Sequence, residues 1–439
     1  MNFLEAIQFV EKCHSYGTRL SKSEMEMILS YLGNPHLHLK YIHVAGTNGK
    51  GSTSSFLHSM LKSEGYQVGL FTSPHLHCYT DRIRINGMNI PQEEFAEIIK
   101  MIYDYIDPLM GDQINYPAMF DLMVLLSFTY FTRKQVDYVV LEVGLGGLMD
   151  ATNVIEDSLI SVITPIDIDH IDVLGSDLGQ IAHHKAGIIK SNGLVVAHWQ
   201  LPIADAVIKE VAENKKAKLK ILEKDAVSIL TQEVKEQSFD LDFSEGLLTN
   251  IKIRMIGEHQ VYNAALAILA LITLRDNNKL QISDEAIYSG VYQNSWAGRL
   301  ELIQETPLIF IDGAHNLQGA SVLSSAIQKY FINKKINFVI GMLSNKDVSG
   351  VLNQLIPLCD KVIFTRPKNP KAMDPHLLAQ QVSYLGKEVL VAETIQESVH
   401  LALEYTSHDE VTIFTGSLYL MGDARKVLLE VIHSNEIAS

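Results

Sequence analysis

Cysteine and tryptophan are scarce in this 439-residue chain, with three copies and two. Cys13, Cys78 and Cys359 are widely scattered, without the spacing of a metal site or a redox pair, so a disulfide framework is excluded and reduced, incidental thiols are expected. No apolar run approaches the length of a membrane span. Basic residues are outnumbered, 36 Lys and Arg against 51 Asp and Glu, for a formal charge of −15. That balance argues against a broad nucleic-acid surface and leaves room only for a local basic pocket that takes anionic substrates. The start, Met1-Asn2-Phe3-Leu4-Glu5, lacks the basic and apolar regions of a secretory signal, so the expected location is cytoplasmic. Internal repeats and low-complexity tracts are absent as well.

What is present is an ordinary globular composition, 47% hydrophobic and 20% charged, in a chain too long for a single core. Short β-rich apolar runs alternate with helical periods, the pattern of parallel sheets with crossover helices. Strands are expected at Tyr41–Ala45, Val68–Phe71, Val136–Leu141, Leu159–Ile163 and Leu194–Ala197. Helices are expected at Ser52–Ser63, Gln92–Tyr105, Phe120–Phe131 and about Gln260–Arg275. Residues 218–256 differ: lysine-rich, β-prone pieces with turns at Asp225, Ser244-Glu245-Gly246 and Thr249-Asn250 suggest a small antiparallel insertion. After Trp296-Ala297-Gly298-Arg299 the alternation restarts, with strands at Leu308–Ile311, Ile336–Ile340, Lys361–Phe364, Glu388–Val391 and Val411–Phe414. The fold class is therefore α/β. Residues 1–295 read as an N-terminal P-loop ATPase-type domain with a parallel sheet and the β insertion, and residues 296–439 as a smaller, Rossmann-like α/β domain. An active site at the joint, near the carboxyl ends of parallel strands, is the default expectation.

The run Gly46-Thr47-Asn48-Gly49-Lys50-Gly51-Ser52 follows the apolar strand Tyr41–Ala45 and leads into a helix. Glycines let the backbone turn its N–H groups onto phosphate oxygens, Lys50 adds a point charge, and the helix adds its positive N-terminal end. A nucleoside triphosphate is the expected guest. Against the strict phosphate-loop pattern, Val44 stands where a glycine is usual and Gly51 where Ser or Thr is usual. Strand, loop and helix are nonetheless in register, which favours phosphate binding over a purely structural turn.

Other strand ends carry polar residues. Glu142 sits in the apolar run Val140-Leu141-Glu142-Val143, followed by Gly144, Gly146 and Gly147. An unpaired carboxylate there is costly, whereas Mg2+ beside a triphosphate would hold it ionised. Ser73, in Thr72-Ser73-Pro74, offers a hydroxyl, and Asp169-His170 follows another strand. His170 reads equally as a ligand or as a satisfied structural residue. Ile181 to Lys190, with His183, His184 and Lys185, reads as a short helix that is either an amphipathic surface helix or part of a basic site. Arg299 could fork onto phosphate or pair with Glu301, and Asp312, in Asp312-Gly313-Ala314-His315-Asn316, could accept from a ribose or a cationic amine.

In this order, these pieces resemble the folylpolyglutamate synthase and dihydrofolate synthase family of the Mur ligase superfamily. The matching set is Gly46–Ser52, Thr72–Leu76, Asp81–Ile83, Glu142–Gly147, Asp150–Val154, Asp169-His170, His184–Lys190, Gly257–Asn263, Trp296–Glu301, Asp312–Asn316, Lys346-Asp347 and Thr415–Tyr419. The resemblance implies an ATP-dependent amide ligase that adds L-glutamate to a reduced folate, and also to dihydropteroate. A substrate carboxylate would take the γ-phosphate as an acyl phosphate, and the amino group of glutamate would displace phosphate. By the same resemblance Gly46, Thr47, Asn48, Gly49, Lys50, Gly51 and Ser52 bind ATP, with Asn263, Arg299, Asp312 and His315. Ser52, Ser73, Glu142, His170 and Lys185 would hold two Mg2+ ions, Lys185 as a carbamate formed with CO2. Lys50, Lys185 and His170 are the expected catalytic residues. The segment after Ser73, to about Asn89, resembles one that encloses the pterin-bearing substrate. The implied partners are small molecules, with neither nucleic acid nor membrane, and the implied state is a monomer.

Three departures from the family pattern stand out. Pro117-Ala118-Met119-Phe120-Asp121 replaces a Thr-x-Phe-Glu run, Leu148-Met149 replaces Arg-Leu, and Leu317 replaces a proline. They leave the nucleotide positions intact and bear on the acceptor. Two other readings stay open: a paralogous ligase for another carboxylate, and a nucleotide binder without turnover.

Overall fold

The computed structural model describes residues 1–109, 115–244 and 246–438, and the chain divides into two compact units. The first comprises Met1–Thr231, Ser238–Arg254 and Glu258–Asn294, and the second Gln232–Gln237, Met255–Gly257 and Ser295–Ser439.

Among the described residues the first unit is built on eleven strands: β1 (Tyr41–Ala45), β2 (Val68–Phe71), β3 (Ile83–Ile85), β4 (Met88–Asn89), β5 (Tyr138–Glu142), β6 (Ile160–Ile163), β7 (Leu194–His198), β8 (Lys218–Leu222), β9 (Val227–Gln232), β10 (Gln237–Phe243) and β11 (Gly246–Ile253). Its main sheet runs β4-β3-β2-β5-β1-β6-β7-β8. The six strands from β2 to β8 are mutually parallel, while β3 and β4 add an antiparallel edge. Every residue of β1, β2, β5, β6 and β7 is buried, as expected of parallel strands covered on both faces. One face carries a core from Ala6 to Ile155 that includes Phe71, Phe95, Phe128 and Phe131, and another core gathers Ala45, Ile163, Ile181 and Val195.

Two sequence expectations need correction. Lys218–Leu222, read as the start of the insertion, is β8, an edge strand paired in parallel with β7 from Leu194 to His198. Its lysines are the charges an edge strand carries against further pairing, and they mimic a polar hairpin in sequence. Only β9, β10 and β11 form the separate small sheet, in the order β11-β10-β9. Of the turn Ser244-Glu245-Gly246, Glu245 lies outside the described residues. The helix expected from Ile181 to Lys190 spans Leu178–Ala186 instead, and ends where Gly187 caps it.

The second unit holds β12 (Glu301–Glu305), β13 (Leu308–Ile311), β14 (Lys335–Ile340), β15 (Lys361–Phe364), β16 (Glu388–Val391) and β17 (Glu410–Thr415), in the order β12-β13-β17-β14-β15-β16. All neighbours are parallel except β12 against β13. Its core packs Phe310, Phe331, Phe338 and Phe364 with the aliphatic faces of the crossover helices. Among the described residues no helix is long and apolar enough to cross a membrane.

The helix Lys50–Ser63, which starts in the Gly46–Ser52 loop, packs along the helix Asp284–Gln293. Ser55 Oγ donates to Asn294 Oδ1 at 2.6 Å, and Ser59 Oγ to the Gly290 carbonyl at 2.7 Å. The backbones meet at Gly290, where a Cβ would lie 2.4 Å from the Met60 Cα. Alanine's helix propensity favours Gly290→Ala by about 1 kcal/mol, and forcing the helices apart costs roughly 2–3 kcal/mol. Gly290→Ala is therefore expected to destabilise the protein by about 1–2 kcal/mol, read as a lower urea midpoint; an unchanged or higher midpoint would contradict this packing.

Candidate active site

β1 ends at Ala45 and the chain turns at Gly46, with φ 151°, and again at Gly49, with φ 81°. At Gly46 a Cβ would lie 1.8 Å from Thr164 Oγ1, so only glycine fits. The loop is pinned to the strand beside it. Thr47 and Asn48 N–H donate to the Pro165 carbonyl at 2.9 and 3.2 Å. Thr47 Oγ1 donates to the Asp167 carbonyl and accepts from Asp167 N, each at 3.0 Å. From the other side, Asn263 Oδ1 would lie 2.3 Å from a Cβ on Gly49. Ser52 is buried in the first turn of the following helix.

Two lysines converge on one backbone oxygen. Lys50 Nζ donates to the carbonyls of Gly46 at 3.0 Å and Thr47 at 3.1 Å. Lys185 Nζ donates to the same Gly46 carbonyl at 2.8 Å, and its side chain is only 3% exposed. Burial, then the charge of Lys50, lowers the Lys185 pKa to about 7, with Asp169 pulling the other way. Near neutral pH a large share of Lys185 is therefore uncharged amine, a nucleophile rather than a fixed cation.

Glu142 closes β5 and is also 3% exposed; its Oε2 accepts from Ser73 N at 3.0 Å. The β1–β5 register sets Val44 opposite Glu142, which places the carboxylate beside the root of the phosphate loop. His170 is more exposed. It adopts φ 52° at the start of a single helical turn, its side chain is 54% exposed, and Nε2 stands 3.6 Å from Asp169 Oδ2. Loop, Lys50, Lys185, Ser73, Glu142 and Asn263 are thus brought together by direct contacts or sheet register, and the 167–170 segment connects His170 to them through the Thr47–Asp167 hydrogen bonds and the charge of Asp169 near Lys185.

Ser73 and Glu142 supply hydroxyl and carboxylate oxygens, the hard donors that suit Mg2+. Among the described residues no three His, Cys, Asp or Glu side chains cluster closely enough to hold a metal by themselves. Mg2+ is usually held by one or two carboxylates together with substrate phosphates, and Glu142 is a buried carboxylate of that kind.

Other residues brace this region, and sequence reasoning assigned them no role. Asp150 Oδ2 accepts from Leu145 N at 2.9 Å, Oδ1 from Thr152 N at 3.0 Å and Thr152 Oγ1 at 2.5 Å. Because that hydroxyl donates to Asp150, His43 Nε2, 2.9 Å away, donates to it. Asn153 Nδ2 donates to the carbonyls of Leu148 and Gly187, and Lys190 Nζ to Asn153 Oδ1 at 2.9 Å. Leu148 N donates to the His184 carbonyl at 2.7 Å. The glycine loop after Glu142 is thereby tied to the end of the helix that carries Lys185. The run Asp150-Ala151-Thr152-Asn153 was the available signal, since its polar residues follow a glycine loop.

Asp81 organises the segment after Ser73. It accepts from His77 N at 2.7 Å, Cys78 N at 3.3 Å and Asn89 Nδ2 at 2.8 Å, and Arg82 Nε donates to His75 Nδ1 at 3.0 Å. Asp121 is turned inward: Oδ2 accepts from Leu20 N at 2.7 Å, and burial pushes its pKa up to about 6. Leu148 is exposed.

In the second unit, Asp312 Oδ2 accepts from Leu300 N at 2.8 Å and Oδ1 from Ala314 N at 2.9 Å. Burial raises its pKa and Arg299 lowers it. His315 Nδ1 lies 2.8 Å from the Gly313 carbonyl. The alternative pairing of Arg299 with Glu301 is not observed: Glu301 accepts from Arg425 Nε and Nη2 at 3.0 and 2.9 Å and from Gly298 N at 3.0 Å.

Comparison with known proteins covers almost the whole chain. The Mur ligase middle domain matches residues 44–271, and the Mur ligase, glutamate ligase domain matches residues 298–418. A dihydrofolate synthase/folylpolyglutamate synthase of Bacillus subtilis (strain 168) is 35% identical over 416 residues, 94% of this chain and 96% of its own. Among solved structures, the folylpolyglutamate synthase of Thermotoga maritima superposes with a TM-score of 0.87 at 33% identity, covering 97% of each chain. Folylpolyglutamate synthase of Mycobacterium tuberculosis complexed with ADP gives 0.85 at 29% identity, covering 97% of this chain and 98% of that one.

The lowered Lys185 pKa has a consequence for stability. Between about 7 and the ordinary lysine value of 10.5 the unfolded chain binds more protons at this group than the folded one, so folding gains stability as pH rises through that window. In CO2-free buffer, the stability of the wild type minus that of Lys185→Met is expected to rise from pH 7 to pH 10, read as urea midpoints. A difference that stays flat would contradict the buried, uncharged amine.

Proposed function

The chain belongs to the folylpolyglutamate synthase and dihydrofolate synthase family of Mur ligases, and from that premise we propose how its residues carry out ATP-dependent ligation of L-glutamate to folate. The reaction yields folylpolyglutamate, ADP and phosphate through an acyl phosphate, and the same site converts dihydropteroate to dihydrofolate. The observation that carries this reading is the pair Lys50 and Lys185 on the Gly46 carbonyl at the root of the phosphate loop.

A carboxylate is a poor electrophile until one of its oxygens becomes part of a phosphate leaving group. The N–H groups of Gly46 to Ser52 and Lys50 bind the β- and γ-phosphates, with Lys50 moving from the loop carbonyls onto the transferring phosphoryl group. Asn263, Arg299, Asp312 and His315 contact the nucleotide. Ser52, Ser73, Glu142, His170 and Lys185 are the groups that would hold two Mg2+ ions, which supply charge neutralisation at the phosphates. Its neutral amine makes Lys185 the group that would add CO2, forming an N–C bond and releasing a proton to give a carbamate, whose oxygens would serve as ligands. The reading takes 1–295 and 296–439 as the two functional domains, and the protein as a cytoplasmic monomer acting on small molecules alone.

Incubation with ATP, Mg2+, glutamate and either a reduced folate or dihydropteroate is expected to give products heavier by one glutamyl unit, read by mass spectrometry. No mass gain with either pterin acceptor overturns the assignment. ADP release with an unrelated carboxylate would instead favour the paralogous ligase that Asp121 and Leu148 allow. Lys185→Ala is expected to lower turnover by on the order of a hundredfold or more while ATP binding persists, and to lose the carbamate signal from 13C-bicarbonate in NMR. Unchanged turnover would refute the role of Lys185.

A further inference from the structure

We propose that His58, Lys62 and Arg84 form an oxyanion site on the flank of the helix Lys50–Ser63, apart from the phosphate loop that opens the same helix. His58 lies two turns beyond Lys50, about 12 Å along the axis at 1.5 Å per residue. An ion held there is therefore distinct from a phosphate on the loop. The site takes a carboxylate or a phosphate group, and two sources offer one: the carboxylates of a γ-glutamyl tail, and free inorganic phosphate.

Local geometry brings the three side chains to one place. Ser54, His58 and Lys62 are spaced four residues apart, which stacks them along one side of the helix. β3 pairs antiparallel with β2, with Arg84 opposite Leu70. Ile83 and Ile85, on either side of Arg84, pack into the core that holds Phe71 and Phe95. Alternation along the strand thus turns Arg84 to the opposite face of the sheet, where its charge acts on His58. Lys62 Nζ reaches the turn between β3 and β4, where a Cβ on Gly87 would lie 4.0 Å from it.

His58 is the floor of this arrangement. It is only 7% exposed, and its Nε2 is buried without a hydrogen-bond partner; one turn earlier, Ser54 Oγ is buried and unpartnered as well. Polar atoms left in that state are costly, so two on one side of a helix mark a place that receives a polar guest. Burial, then the charges of Lys62 and Arg84, lowers the His58 pKa to about 4, so near neutral pH the ring is uncharged. Two cations beside a neutral imidazole repel a metal ion, whereas an oxyanion accepts from both cations and from the ring in its Nε2–H tautomer. Asp81 also feels the charge of Arg84, but its oxygens are already taken by His77 N, Cys78 N and Asn89 Nδ2.

The test follows the His58 imidazole of the full chain by 1H–15N NMR, assigned through His58→Gln, with ADP and Mg2+ present so that the phosphate loop is filled. Inorganic phosphate and tri-γ-L-glutamate are titrated separately, and at least one is expected to shift the His58 signals saturably. Lys62 is exposed and Arg84 half-buried; Lys62→Ala and Arg84→Gln are each expected to weaken that binding about fivefold and to leave ADP affinity unaltered. Tighter binding of the peptide assigns the site to the γ-glutamyl tail, and tighter binding of phosphate assigns it to the free ion. No shift with either probe, or shifts that persist unchanged in both variants, overturn the site. The site itself does not rest on the ligase reading; only its γ-glutamyl source does. Phosphate bound at His58 in a protein that adds glutamate to no pterin acceptor would uphold the site while the ligase reading falls.

Discussion

The Gly46 carbonyl accepts hydrogen bonds from Lys50 and Lys185, and the rest of the site depends on how two lysine side chains share that one oxygen. Like charges this close in a buried setting cannot both remain protonated without cost. Burial, then the neighbouring charge of Lys50, lowers the Lys185 pKa to about 7. Lys185 is then in large part an uncharged amine near neutral pH, a consequence of its burial. The surrounding structure serves this arrangement. β1 and β5 in register bring Glu142 beside the loop, and the Asp150, Thr152 and Asn153 bonds fix the helix that presents Lys185.

Much of this architecture is legible in the chain itself, and the reason is locality. The alternation of apolar runs and helical periods is a short-range pattern, and it gives the α/β class and the order of the elements. The phosphate loop is legible because Gly46 and Gly49 need positive φ within a few residues of one another. Lys218–Leu222 was misread because an edge strand carrying lysines looks like a polar hairpin until its partner is known.

Interactions between distant segments were not legible. His43 meets Thr152 across 109 positions, and Leu20 meets Asp121 across 101. No periodicity links such pairs. Asp121 shows what is lost: as a sequence feature it is a shortened carboxylate near the acceptor, whereas in the fold it caps a backbone N–H and stays buried. Its change from the family pattern is therefore tied to how the N-terminal segment is anchored. Leu148, beside the glycine loop, is exposed instead, as are Met149 and Leu317.

The central claim is that this site activates a carboxylate by phosphorylating it, and oxygen labelling tests that claim at the bond concerned. An acceptor whose reacting carboxylate carries 18O is incubated with ATP, Mg2+ and L-glutamate, and the released phosphate is analysed by mass spectrometry. An acyl phosphate requires one carboxylate oxygen to leave with phosphorus, so the account predicts one 18O atom in each phosphate released. Amide product formed alongside unlabelled phosphate would contradict it.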